Sequence, residues 1–284
     1  MNRMIHWWGV LFLCASAACA ETGSDSLAVS DARDPNKKKE NFVGGFLADE
    51  GAIWTSPLHM DGNDAMVWGG IAGTTALLLT VDEPVAREAH RLRNESIFVQ
   101  KVSPAVTQFG QFYVPYSIAA AYCLEGLVFN DDTSVDTGLL AAQAMLHSGI
   151  VVQVLKNIFG RSRPFVHSDE DAWHGPGMIL RRDAHGGFSP YDSFPSGHTI
   201  TAFSLATVIA GRESPWVGYV AYTCATLTGI SRLTQHEHWL SDVVAGAALG
   251  IAIGKLELRR HNNSLAIYPS IGARSAGLTI QINE

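Results

Sequence analysis

The sequence predicts an all-α fold, a helical bundle with a six-helix core, followed by a short C-terminal β-hairpin. Three observations predict it. Six apolar runs of helical length lie at roughly Ala65–Val81, Phe112–Phe129, Thr137–Leu155, Thr199–Gly211, Pro215–Ile230 and Leu240–Leu256. Cap and turn residues punctuate them: Gly160 and Pro164 close the third run, "GRESP" joins the fourth to the fifth, and Pro215 sits where a first helical turn tolerates proline. After residue 258 the period changes, and Leu265, Ile267, Ile271, Leu278, Ile280 and Ile282 alternate with small or polar residues around a turn, the pattern of two paired strands.

Taken in order, the chain opens with Arg3, an apolar stretch from Trp7 to about Ala18, and small residues ending at Ala20. That is the pattern of a secretory signal peptide over residues 1–20; the apolar core is short for a membrane span. A lipoprotein-type site at Cys19 lacks the Leu preferred three residues earlier. Residues 21–41 are polar and charged and read as a disordered linker. The helical domain is placed at 42–258. It begins with a short helix and a turn over 42–62, and an amphipathic pair of segments separates the first two core runs. The hairpin tail takes 259–284. Cys14 and Cys19 fall in the signal region, and Cys123 and Cys224 lie in apolar runs as buried thiols or a disulfide, with no metal-ligand spacing.

Composition bounds the partners. Of the 284 residues 47% are hydrophobic and 17% charged, and the formal net charge of −7 with no basic face excludes nucleic acid as the main partner. The low charge suits a chain that buries many helices or touches a membrane. Ala65–Val81 is the most span-like run; the second carries Glu125 and the third carries Gln143 and His147, with Glu125 and His147 read as satisfied core polar groups. A cleaved signal followed by six spans would also put the end of the third helix inside the cell. A soluble or surface-bound bundle is therefore favoured over an integral one.

Three stretches carry the chemistry: "KNIFGRSRP" with Lys156 and Arg163, "SFPSGHT" with Ser196, Gly197 and His198, and "SRLTQHEHWLSD" with Arg232, His238 and Asp242. If the fourth and fifth helices run out and back, the start of the fourth, the end of the fifth and the start of the sixth meet at one end of the bundle, where the end of the third joins them. The residue types there suit an anion with several oxygens. Lys156, Arg163 and Arg232 are cations, "PSGH" opens a helix with free N–H groups, Gly197 lets backbone approach, and Ser196 adds a hydroxyl. His238 and Asp242, four apart, share a helical face, so the carboxylate can hold one imidazole nitrogen and leave the other free to attack. His198 is suited to give a proton to a leaving oxygen.

The pattern Lys-x6-Arg-Pro, Pro-Ser-Gly-His, Ser-Arg-x5-His-x3-Asp resembles the signature of the type 2 phosphatidic acid phosphatase and vanadium haloperoxidase superfamily, with its motifs in residues 156–242 and its helix arrangement over roughly 65–256. The resemblance implies that superfamily's helical bundle and a metal-independent, cofactor-free phosphatase. In it His238 is the nucleophile, Asp242 orients it, and His198 protonates the leaving group and then activates water. Lys156, Arg163, Ser196, Gly197 and Arg232 hold the phosphoryl oxygens. Ser231 either belongs to this set or caps or orients Arg232. His236 and Glu237 read as rim residues without a specific role, and the acidic loop "HSDEDAWH", 167–174, as a solvated loop over the site. The implied partner is a phosphate-containing small molecule or a lipid phosphate, with membrane association left open. A vanadate-dependent haloperoxidase and an inactive envelope protein are the alternatives.

Overall fold

In the computed structural model, the described residues are 42–166, 173–177, 190–262, 265–272 and 275–282. The signal and linker readings, and most of the 167–174 loop, lie outside them. Nine α-helices are present among the described residues: α1 Phe42–Thr55, α2 Gly62–Leu79, α3 Asp82–Glu95, α4 Ile97–Val106, α5 Tyr113–Phe129, α6 Asp132–Phe159, α7 Gly197–Arg212, α8 Pro215–Thr234 and α9 Leu240–Asn262. A 3₁₀ turn, Ser56–His59, follows α1, and a second, Thr107–Gly110, follows α4. Strands β1, Leu265–Gly272, and β2, Ser275–Ile282, pair antiparallel with Leu265 opposite Ile282.

Local chemistry sets the boundaries. Asp61 caps α2 by accepting from Asp64 N (2.7 Å), and Asp131 caps α6 by accepting from Thr133 N (3.0 Å). α5 ends at Asn130 and α6 at Gly160, both left-handed. The six core runs correspond to α2, α5, α6, α7, α8 and α9, and the amphipathic pair to α3 and α4.

The core lies where α7 meets α6, α8 and α9. Phe203, Ile200, Val208 and Val243 are fully buried there. On α9, Gly246, Gly250 and Gly254 recur every fourth residue and turn one bare stripe towards α7. A Cβ on Gly250 would come within 2.5 Å of the Ile200 carbonyl, so this packing requires glycine. That close approach of α9 to α7 holds the site's second and third motifs together.

The outward surface is unusually apolar. Ile97, Phe98, Phe112, Val128 and Phe129 on or beside α4 and α5 are all more than two-thirds exposed. Among the described residues one helix, α6, is long and apolar enough to cross a membrane; up to three spans result if α2 with α3 (bent by 67°) and the 97–110 segment with α5 (bent by 54°) each count as one. This corrects the sequence reading, in which Ala65–Val81 was the most span-like run. The polar Gln143 and His147 of α6 point inward, onto Asp49 and Glu257, while Leu139 and Leu146 face out. Glu125 is exposed and is no core group. Cys123 and Cys224 are separate thiols.

Candidate active site

Four chain segments converge at one end of the bundle: the end of α6 with Lys156, the start of α7 with Ser196, Gly197 and His198, the end of α8 with Arg232, and the turn into α9 with His238 and Asp242. Backbone and ring hydrogen bonds lace the three motifs into one unit. Ser193 N donates to the Arg161 carbonyl (3.0 Å) and Ser196 N to the Asp242 carbonyl (3.1 Å). Trp239 Nε1 donates to the Ser162 carbonyl (2.8 Å), and His236 Nε2 to that of Pro164 (2.8 Å). His236, left-handed at φ 61°, thus fixes the loop that carries Arg163.

The expected cations line the rim and face carboxylates. Arg163 grips Asp192 side-on, Nε to Oδ1 at 2.6 Å and Nη2 to Oδ2 at 3.1 Å, and Lys156 Nζ reaches the same Oδ2 at 3.3 Å. Glu237 Oε2 pairs with Arg163 Nη1 and lies 3.6 Å from Arg232 Nη2. Arg232 is steadied from behind by Thr107 Oγ1, which accepts from Nη1 at 2.9 Å. Ser196 is fully buried at the N-cap of α7, and a Cβ on Gly197 would stand 3.8 Å from Lys156 Nζ. Gly110 of the second 3₁₀ turn abuts His198; a Cβ there would lie 2.7 Å from the His198 Cβ, so the turn and this imidazole are placed together. Among the described residues, Arg232 Nε, His198 Nε2 and His238 Nδ1 are buried without a hydrogen-bond partner. Such groups are costly to leave without a partner, and three of them gather at this rim, as others do elsewhere in the bundle.

His238 and Asp242 face each other through the expected atoms, Nδ1 and Oδ2, at 3.5 Å. That separation is beyond a good hydrogen bond. The Asp242 carboxylate is instead held from other sides. Oδ2 accepts from Ser193 Oγ (2.6 Å) and Trp239 N (2.9 Å), and Oδ1 accepts from Arg161. Arg161 in turn donates to Asp82 Oδ2 (2.7 Å), and Asp82 Oδ1 accepts from Ser241 N (2.9 Å). The Arg161 guanidinium lies 4.8 Å from the Trp173 ring centroid and 5.3 Å from that of Trp239. Arg161, Asp82 and Asp242 are essentially inaccessible to solvent.

The electrostatics follow from burial among cations. His238 is held well below the usual histidine range by burial, then by Arg163, Arg232 and Lys156. His198 is pushed down to about 3 by burial and the same three cations. Asp192 is burdened by burial, but Lys156 and Arg163 carry it well below the usual carboxylate range. Among these cations both imidazoles are therefore neutral near pH 7.

All eight sequence-predicted residues lie at this rim. Ser231 does not join them, since its hydroxyl donates to the Thr228 carbonyl one turn back (2.6 Å). Glu237, read as a rim residue without a role, touches two of the site's arginines. Sequence reasoning missed Arg161, Ser193, Asp192, Asp82, Ser241 and Thr107. Arg161, Asp192, Ser193 and Ser241 adjoin or interrupt the motifs, a signal that was available. Asp82 and Thr107 come from α3 and the second 3₁₀ turn, far away in sequence, with no local signal.

A family model described as the PAP2 superfamily matches residues 137–265. The lipid A 1-phosphatase of Porphyromonas gingivalis is 52% identical over 68 residues, which are 23% of this chain and 15% of that protein. The lipid A 1-phosphatase of Rhizobium johnstonii is 34% identical over 109 residues, 37% of this chain and 40% of that protein. The chain thus spans less than half the length of these curated relatives. Among solved structures, Aquifex aeolicus LpxE aligns at a TM-score of 0.48 and 22% identity, over 63% of this chain and 95% of that one. Residues 137–265 contain all three motifs, so the region that matches the PAP2 superfamily is the one that builds this site.

Proposed function

We propose that the protein is a membrane-associated phosphatase that hydrolyses a lipid phosphate or another phosphate monoester through a phosphohistidine at His238. The observation that carries this reading is the set of buried, unpartnered polar atoms, Arg232 Nε and His198 Nε2, beside Lys156, Arg163 and the start of α7. Cations and free helix N–H groups of this kind stabilise charge spread over a transferring phosphoryl group.

In the first step the His238 ring nitrogen remote from Asp242 attacks phosphorus. An N–P bond forms as the P–O bond to the leaving alcohol breaks, and His198 supplies the proton that alcohol takes. His198 is neutral among the three cations alone, and the negative charge of a bound phosphate offsets them and draws a proton onto it. In the second step His198 removes a proton from water, which attacks phosphorus and returns His238. Asp242, fixed by Ser193, Trp239 N and Arg161, stabilises the charge that His238 gains; a small movement of His238 closes the 3.5 Å gap.

The apolar α4–α6 surface supports a seat in a membrane and hence a lipid substrate. The relatives' named substrate makes the 1-phosphate of lipid A the first to test. Export through residues 1–20 belongs to the same reading. The test is a substrate panel of lipid A, phosphatidate, a polyprenyl diphosphate and p-nitrophenyl phosphate, on wild type and His238→Ala. Phosphate release from a lipid by wild type alone is expected. Retained turnover in His238→Ala would remove the phosphohistidine.

A further inference from the structure

Arg163 and Arg232 are both assigned to the phosphate, yet one carboxylate oxygen, Glu237 Oε2, already lies between their guanidinium groups. It contacts Arg163 Nη1 and stands 3.6 Å from Arg232 Nη2. A phosphoryl oxygen held by both arginines would need that same position. On its far side Arg163 has Nε and Nη2 engaged by Asp192, so the Nη1 face that Glu237 takes is the one turned towards Arg232.

The two carboxylates are differently free to leave. Asp192 precedes Ser193, whose hydroxyl is locked on Asp242 and whose N–H is locked on Arg161, so its segment is pinned. The Glu237 side chain is 32% exposed and sits in the open turn between α8 and α9, where it can rotate into solvent.

We infer that Glu237 is a built-in competitor for the phosphate seat, taking the gap between Arg163 and Arg232 and swinging out when a phosphate enters. This rests on the reading of the rim as a phosphate site. Two consequences follow from charge alone. Glu237 neutralises a cluster of buried cations that would otherwise stand uncompensated between turnovers. It also returns as the product leaves, so inorganic phosphate is held weakly and product inhibition is limited.

The test is titration of the purified full chain with inorganic phosphate, by calorimetry, for wild type, Glu237→Gln and Glu237→Ala. Removing the competing charge is expected to tighten phosphate binding by about ten-fold or more in both variants. A misfolded variant does not gain affinity, so a gain is decisive. Equal or weaker binding in both variants, with wild type binding phosphate, overturns the inference alone and makes Glu237 a support for the arginines. Loss of folding in both variants overturns it in the same way. Absence of binding in all three proteins removes the phosphate-site reading itself.

Discussion

Two ionic clusters lie against each other at one end of this bundle, and they are finished differently. In the first, Arg161 lies between Asp82 and Asp242, with Ser241 and two indole rings around it, and every one of these charges is met by a buried partner of opposite sign. In the second, Lys156, Arg163 and Arg232 face Asp192 and a partly exposed Glu237, and polar atoms of Arg232 and His198 find no hydrogen-bond partner among the described residues. Both set cationic side chains against carboxylates. A cluster closed on itself in the interior is scaffold, whereas one left open at a rim is built for something that arrives. The joint between them is Asp242, which belongs to both.

The strongest way to break the comparison is to open the closed cluster. Arg161→Met leaves Asp82 and Asp242 as buried, unpaired carboxylates, and about 3–5 kcal/mol of stability should be lost in chemical denaturation. Arg163→Met, in the open cluster, should cost much less stability while lowering kcat/KM. Equal stability losses would erase the distinction.

His198 sharpens it next. Its loss should slow turnover by roughly 10²–10⁴-fold on a lipid or alkyl phosphate, whose alkoxide needs a proton. With p-nitrophenyl phosphate, which leaves without one, His198→Ala should fall clearly less far. Parallel losses on both substrates would deny His198 the role of acid.

The pH dependence tests it from another side. The folded site keeps His198 down to about 3, below its ordinary value, while the unfolded chain protonates it near 6.5. Below about pH 6.5 the unfolded state binds more protons, so stability should fall as pH drops from there towards 3. Thermal melts across pH should show this slope, shallower in His198→Gln and in wild type saturated with phosphate.

Much of this was legible in sequence, for physical reasons. Helix ends announce themselves through Gly160 and Pro215, and the motif spacing alone chose His238 over His236. What was not legible depends on direction. Gln143 and His147 counted against a span because sequence does not say that both point inward. Glu237 read as idle because nothing local says that a turn aims it between two arginines from different helices. Asp82 was invisible because its partners, Ser241 and Arg161, are 159 and 79 positions away.

The central claim, that this rim is a phosphate site with His238 as nucleophile, is tested most directly by trapping the intermediate. Rapid quenching under alkaline conditions during turnover of a ³²P-labelled substrate should leave an acid-labile label on the peptide containing His238, and none in His238→Ala. A label on another residue, or full turnover with no labelled protein at any quench time, would contradict it.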